Sequence, residues 1–272
     1  MGGKQLGCFQ SQDVLKRTKD ESPSPDSRSN SSQGRISLKP DADFIRGDAT
    51  GAKVLCLGRQ RDSRLQSPGH ETSVLVRHGQ SVANRSGLFT ELLDSPLTEQ
   101  GRMEAEAAGR RLAERRWRFS VAFTSTLTRA VVSGRLILDA LGQTGLIPQR
   151  FAALDERDYG DLSGLDKTTA DARWGAVRIE TWRRSYAEAP PNGESLRDTV
   201  ARIMPCYLRS ILPAVMGGDV LVVAHGNCLR ALVMALEDLS PAEVEDLELA
   251  TGSVRIYEFA ADTTIKARWI DV

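Results

Sequence analysis

The sequence predicts an α/β domain, an open and mostly parallel sheet with helices on both faces, behind a disordered N-terminal leader. Three short apolar runs lack polar alternation, as strands covered on both faces require. Helical stretches separate these runs, in the alternation that builds such sheets. Residues 20–34 are Ser, Pro, Asp and Asn with almost nothing to bury, so burial would not offset the entropy of ordering them.

In chain order, residues 1–70 are assigned to the leader and residues 71–272 to the folded domain. Within the leader, residues 54–57 form a short apolar island where a strand could form, and weakly ordered chain is the expectation. Gly2 followed by Cys8 is a faint acylation signal, but Leu6 stands where that pattern needs Ser or Thr. The leader is also too acidic for a transit peptide, so no function is assigned to it. The first apolar run, residues 74–76, stops at Arg77-His78-Gly79, and another, residues 220–224, stops at His225-Gly226-Asn227. A shorter one, residues 121–123, ends at Thr124-Ser125. Thr98 is placed as the N-cap of a helix, with Glu99 in its first turn and an Ala/Leu-rich stretch through Ala113. Residues 127–141 and 229–239 are read as further helices. Open sheets of this kind bind ligands beyond the carboxyl ends of their strands. Both His-Gly pairs sit there.

Composition excludes several classes. The 36 basic residues balance the 36 acidic ones, so no net charge draws the protein to nucleic acid or to a membrane surface. Cys8, Cys56, Cys206 and Cys228 make no C-x-x-C pair, which argues against a disulfide framework or a zinc site and fits the reducing cytoplasm. No apolar run approaches the roughly 18 residues of a membrane span. The most apolar stretch, residues 220–236, is interrupted by His225, Asn227 and Arg230.

Of the three histidines, His70 lies in the leader, while His78 and His225 each follow a buried strand and precede a glycine. Gly79 and Gly226 bring no Cβ and would let backbone approach a ligand. A lone histidine at a strand end is usually structural; two in equivalent positions beside Arg or Asn suggest chemistry. Transfer of a phosphoryl group requires positioning and neutralising charge spread over three oxygens. Arginine suits this task, because its planar fork bonds two oxygens and keeps its charge. Arg77 adjoins the first histidine, and Arg129 follows the third run at a helix N-terminal region, where anions are favoured.

The segment Leu75-Val76-Arg77-His78-Gly79-Gln80-Ser81, followed by Asn84, resembles the signature of the histidine phosphatase superfamily. Later segments resemble its cofactor-dependent phosphoglycerate mutase branch. They are residues 154–164 (Leu-Asp-Glu-Arg-Asp-Tyr-Gly-Asp-Leu-Ser-Gly) with Lys167, then Trp182-Arg183-Arg184-Ser185-Tyr186, then residues 190–196. Ala224-His225-Gly226-Asn227 and Leu229-Arg230-Ala231-Leu232 complete the set. The likeness runs from about Ser73 to the C-terminus, and the leader has no counterpart.

The resemblance implies a phosphoglycerate mutase-like fold and the interconversion of 3- and 2-phosphoglycerate in glycolysis and gluconeogenesis. It implies that His78 accepts a phosphoryl group from 2,3-bisphosphoglycerate, with Arg77, Arg129 and His225 around that group. Glu156 is the implied general acid and base for the substrate hydroxyl. Asn84, Gly226 and Asn227 add hydrogen bonds, while Tyr159, Lys167, Arg183 and Arg184 bind the far phosphate and carboxylate. Thr90 and Glu91 lie in the loop that contacts the substrate carboxylate. No metal is implied, and a homo-oligomer is expected. The residue types agree independently: a neutral imidazole is nucleophilic and forms a labile phosphoramidate, and a nearby carboxyl can shuttle the hydroxyl proton.

The chain departs from the family pattern at its substrate rim. Phe89-Thr90-Glu91-Leu92 stands where Phe-Thr-Gly-Trp is usual, Ala83 replaces Trp, and Cys228 replaces Ser. Thr251-Gly252-Ser253-Val254 differs from the usual Thr-Gly-Val-Pro. Either Glu91 points to solvent or its charge opposes the substrate carboxylate, at roughly 4 kcal/mol for like charges about 4 Å apart at an effective dielectric of 20. Two other readings follow. A phosphatase that uses His78 on a different small phosphorylated substrate is favoured by Glu91 and Leu92 and disfavoured by Tyr159, Lys167, Arg183 and Arg184. A catalytically inactive binding protein is disfavoured by the intact set of His78, Arg77, Arg129, Glu156 and His225.

Overall fold

A computed structural model of the chain describes residues 53–56, 71–90 and 93–271. Seven strands among the described residues form one sheet, in the spatial order β1-β7-β6-β2-β5-β3-β4. They are β1 (Lys53–Cys56), β2 (Thr72–Arg77), β3 (Val121–Thr124), β4 (Gln149–Arg150), β5 (Val220–Ala224), β6 (Val254–Phe259) and β7 (Ile265–Asp271). β2, β5, β3 and β4 run parallel, so the ends of β2, β5 and β3 open on one edge of the sheet. β6 runs antiparallel between β2 and β7.

The apolar runs become strands because both sheet faces are covered. On β2, Val74 and Val76 pack on one face against α2 (Glu99–Glu114) and α3 (Thr128–Ala140). Leu75 points the other way, into a cluster with α6 (Leu196–Cys206) and α8 (Gly226–Glu237). All five residues of β5 are buried, which is why its sequence shows no alternation. A π-helical turn, Tyr207–Ile211, joins α6 to α7 (Leu212–Val215), and α9 (Pro241–Asp246) follows α8. The short α1 (Val82–Arg85) follows the first histidine. Above it, α4 (Lys167–Trp174) and α5 (Ala176–Arg184) enclose a small cluster of Phe89, Leu162, Ala170, Ile179 and Trp182.

Thr98 caps α2 by accepting a hydrogen bond from the Gly101 amide at 3.0 Å. α8 starts at Gly226 rather than Leu229, because the extended His225 serves as its N-cap. Where weakly ordered chain is expected at the apolar island, residues 54–56 belong instead to β1, which pairs in parallel with β7, Lys53 opposite Ala267 and Cys56 opposite Ile270. The sequence expectations for the rest of the leader, His70 included, lie outside the described residues. Among the described residues, no helix is long and apolar enough to cross a membrane.

One close approach positions the first histidine. A Cβ on Gly79 would lie 1.9 Å from the Gly101 carbonyl oxygen, and one on Gly101 would lie 2.0 Å from that of Gln80. The start of α2 therefore presses directly on the backbone that follows His78. Gly101→Ala is expected to lower stability by about 2 kcal/mol or more, because backbone cannot yield as a flexible side chain would. A urea midpoint matching the parent's would show that α2 can slide away without cost.

Candidate active site

His78 and His225, both buried, meet edge to face with ring centroids 4.8 Å apart. Parallel pairing of β2 with β5, Arg77 opposite Ala224, sets them side by side at the carboxyl ends of the strands. The contacts of each ring fix its tautomer. His78 Nδ1 lies 2.6 Å from the Gly79 carbonyl, which can only accept, so Nδ1 carries the proton and Nε2 keeps the lone pair. His225 Nδ1 receives the Nε–H of Arg129 at 3.2 Å, so its Nε2 holds the proton and donates to Ser125 Oγ at 2.7 Å. Burial first, then Arg77 and Arg129, pushes the His78 pKa well below its ordinary value. Burial, His78 and the same arginines do so for His225. A neutral, desolvated imidazole is the result.

Arg129 is 1 % exposed and held on three sides. Beyond His225, it donates to the Leu93 and Thr90 carbonyls at 3.0 and 3.3 Å. Asp94 accepts from the Thr128 amide and hydroxyl, fixing the N-terminal end of α3 against the same loop. Ser133 Oγ accepts from the Gly79 amide and donates to the Arg129 carbonyl, joining α3 to the His78 loop. Arg77 donates through Nη1 to the Leu249 carbonyl at 2.5 Å, while its buried Nε has no hydrogen-bond partner among the described residues. A buried guanidinium N–H in that condition calls for an acceptor.

Arg77 and Gly226 also line a cleft of about 420 Å³ that brings most of the predicted site residues together. Glu156 lines it and accepts from the Asn227 amide at 3.1 Å and from its neighbouring Arg157 amide at 2.8 Å. Tyr159, Lys167, Arg183 and Arg184 stand on another part of its wall, carried by α4, α5 and the turn before them. Tyr159 Oη accepts from Asn227 Nδ2 at 2.9 Å, and the Arg157 guanidinium lies over its ring. Thr90 and Asn84 also line the cleft. Asn84 Oδ1 is engaged by the Ser81 amide in the cap of α1, which leaves the NH₂ end as the one to offer a ligand. Glu91 and Leu92 lie outside the described residues.

Two expectations gain detail, and a third position is explained. Gly79 lacks a Cβ for the sake of Gly101, not of a ligand. His225, expected to face the phosphoryl group, has both nitrogens engaged by protein partners, Arg129 and Ser125. Cys228, which stands where Ser is usual, is wholly buried, and that burial pushes its thiol far up, so it is not a reactive thiolate.

Sequence reasoning missed several residues that hold the site. Asp155 receives the Thr126 amide and hydroxyl at 2.7 and 2.8 Å, tying the Glu156 segment to the end of β3. Arg230 donates to Asn227 Oδ1 at 3.0 Å and thereby orients the amide that meets Tyr159. Ser125 could have been found from its place just past a buried strand. Asp155 carried no signal beyond its neighbour Glu156.

The two buried imidazoles make stability depend on pH. An unfolded histidine titrates near 6.5, and both folded values lie well below that. Below about pH 6.5 the unfolded chain therefore binds protons that the folded chain refuses, and stability falls by up to about 1.4 kcal/mol per pH unit for each residue. Urea titrations between pH 7.5 and 5.5 are expected to show this loss, and a flat profile would contradict the assignment of both rings as neutral.

The comparisons agree with this geometry. Residues 73–272 match the histidine phosphatase superfamily, branch 1. A 2,3-bisphosphoglycerate-dependent phosphoglycerate mutase of a Bradyrhizobium species is 55% identical over 196 residues, covering 72% of this chain and 95% of the relative. The protein of that name from Brucella melitensis is 54% identical over 200 residues, covering 73% and 97%. Among solved structures, a mycobacterial glucosyl-3-phosphoglycerate phosphatase complexed with VO3 superposes with a TM-score of 0.62 at 29% identity, over 75% of this chain and 98% of its own. Bacillus stearothermophilus YhfR gives 0.64 at 26% identity, over 71% and 93%. With its arginine-flanked histidine pair and a match that spans the whole sheet from β2 onward, the chain belongs to the histidine phosphatase superfamily.

Proposed function

We propose that this chain is a 2,3-bisphosphoglycerate-dependent phosphoglycerate mutase that interconverts 3- and 2-phosphoglycerate. One observation carries the reading: a buried, neutral His78, itself outside the cleft lining but next to Arg77 that lines it, stands with a cleft whose wall also carries the cations Lys167, Arg183 and Arg184 and the hydroxyl of Tyr159. A monoester phosphatase needs the histidine and its arginine, whereas a small substrate with phosphate and carboxylate needs the cations of that wall as well. The names of relatives near 55% identity support the same choice.

The donor set fits 2,3-bisphosphoglycerate, since the unpartnered Arg77 Nε and the cations of that wall suit its phosphates and carboxylate. When bound, it supplies the phosphoryl group that charges His78. His78 Nε2 forms the P–N bond as the ester P–O bond breaks, and Arg77 and Arg129 neutralise the equatorial oxygens. The Gly79 carbonyl keeps the Nδ1 proton in place through the change of charge. Glu156 gives a proton to the departing ester oxygen. In the return step it takes the proton of the attacking substrate hydroxyl as the P–N bond breaks. Arg183, Arg184, Lys167 and Tyr159 retain the substrate's other anionic groups between the two steps. His225 holds Arg129 by its acceptor nitrogen.

Residues 71–272 constitute the catalytic domain in this reading, a cytoplasmic location goes with it, and a homo-oligomer is the expected assembly. An enolase-coupled assay of 3-phosphoglycerate, with and without 2,3-bisphosphoglycerate, tests the activity. Turnover that depends on the bisphosphate is expected; release of free phosphate without 2-phosphoglycerate would replace the mutase with a phosphatase.

A further inference from the structure

Arg184 belongs to the anion-binding wall of the cleft, yet carboxylates of its own chain already engage it. Glu248 accepts from Arg184 Nη2, and Glu180 accepts from Arg184 Nε at 3.4 Å and from Arg183 Nη1 at 2.7 Å. The two acids differ in place. Glu180 sits one helical turn before its partners on α5, an ordinary pair on a helix surface. Glu248 reaches Arg184 across 64 residues of chain and lines the cleft itself.

Its backbone is fixed from both sides by arginines of the same cleft. Arg77 bonds the Leu249 carbonyl at 2.5 Å, and Arg230 bonds the Val244 and Glu245 carbonyls at 2.5 and 3.4 Å. The segment between α9 and β6 is thus tied down while the Glu248 side chain, 71% exposed, stands at the rim against Arg184. The Arg184 hydrogen bond, with Arg184, Arg230 and Arg77 acting through charge, holds the Glu248 carboxyl below the usual range. Its negative charge therefore acts on three of the cations that a ligand would meet.

We propose that Glu248 is a specificity-determining residue, an internal counter-anion for Arg184 that an anionic ligand must displace or share, so that it penalises ligands in proportion to their charge. This rests on reading the cleft as the phosphoglycerate site. A bisphosphate meets more of the penalty than a monophosphate, so Glu248 weakens the more highly charged ligand relative to the substrate. The cost is electrostatic and is screened by salt.

The test is a charge ladder on the full-length chain. Binding of inorganic phosphate, 3-phosphoglycerate and 2,3-bisphosphoglycerate is measured by calorimetry for the parent and for Glu248→Gln, at low and high ionic strength. Tightening of roughly threefold per unit of ligand charge is expected in Glu248→Gln at low salt, so the bisphosphate gains most. Near 1 M salt, where screening acts within about 3 Å, the gain should shrink. In turnover the gain should fall in KM rather than in kcat. The pair is solvent-exposed and adds little to folding, so the variant should fold, and its urea midpoint checks that. Equal affinities in parent and variant, or a change that is the same for all three anions, would overturn the proposal and leave Glu248 a structural tie. Failure of the mutase reading would show differently: no bisphosphate-dependent turnover in the parent, with the ladder still ordered by charge.

Discussion

Replacing His78 by alanine is expected to abolish turnover, by a factor on the order of 10⁴ or more, and with it the acid-labile phosphoryl label on the protein. The size follows from what remains. The only other histidine in the described core is His225, with its ring centroid 4.8 Å away, and it cannot inherit the task. Its Nδ1 lone pair is used by Arg129 and its Nε2 proton by Ser125, so no nitrogen is available to attack phosphorus. Freeing it would break the contact that holds Arg129, the cation that the proposed step requires. The variant carries its own folding control. Removing a buried imidazole that refuses protons should make stability less sensitive to acid than in the parent. A variant that shows this gentler pH dependence is folded, and its inactivity then reports chemistry. Retained turnover, or a label that moves to another residue, would remove His78 from the mechanism.

Much of this centre was legible in the sequence because it sits where local pattern and topology agree. The apolar runs that end at His78 and His225 announce buried parallel strands, and pairing of β2 with β5 brings those ends together. Thr98 announced α2 by a cap that the structure uses. What escaped notice depends on segments that fold back from a distance. Glu248 lies 64 residues from Arg184, in a stretch with no periodicity. Asp155 anchors the Glu156 segment to the loop after β3 through Thr126, a contact that no spacing rule anticipates. β6 and β7 went unread, since β6 buries the adjacent Ile256 and Tyr257 and leaves only Arg255 and Glu258 half-buried, so it shows no clean alternation. Gly79 was legible as a glycine but not for its reason, because the atom it makes room for belongs to α2. The shared lesson is physical: one strand's pattern records its burial, whereas a side chain's partner is recorded only in the packed whole.

Glu156→Gln should separate proton transfer from phosphoryl capture. The glutamine keeps a carbonyl oxygen that can still accept from the Asn227 and Arg157 amides, so the local frame survives the change. What it loses is the ability to take and return a proton. With phosphoglycerate, whose departing oxygen becomes an alkoxide unless protonated, turnover should fall by about 10²- to 10⁴-fold. An aryl phosphate with a nitrophenolate leaving group needs no such proton, because that anion is stable in water. Phosphorylation of His78 by the aryl ester should then fall much less than turnover of phosphoglycerate. The unequal loss distinguishes an acid and base from a mere support for the α8 N-terminus, since a displaced Asn227 or Tyr159 would slow both reactions alike. Equal losses with the two esters would therefore assign Glu156 to positioning, and the proton would have to travel by another group of the cleft.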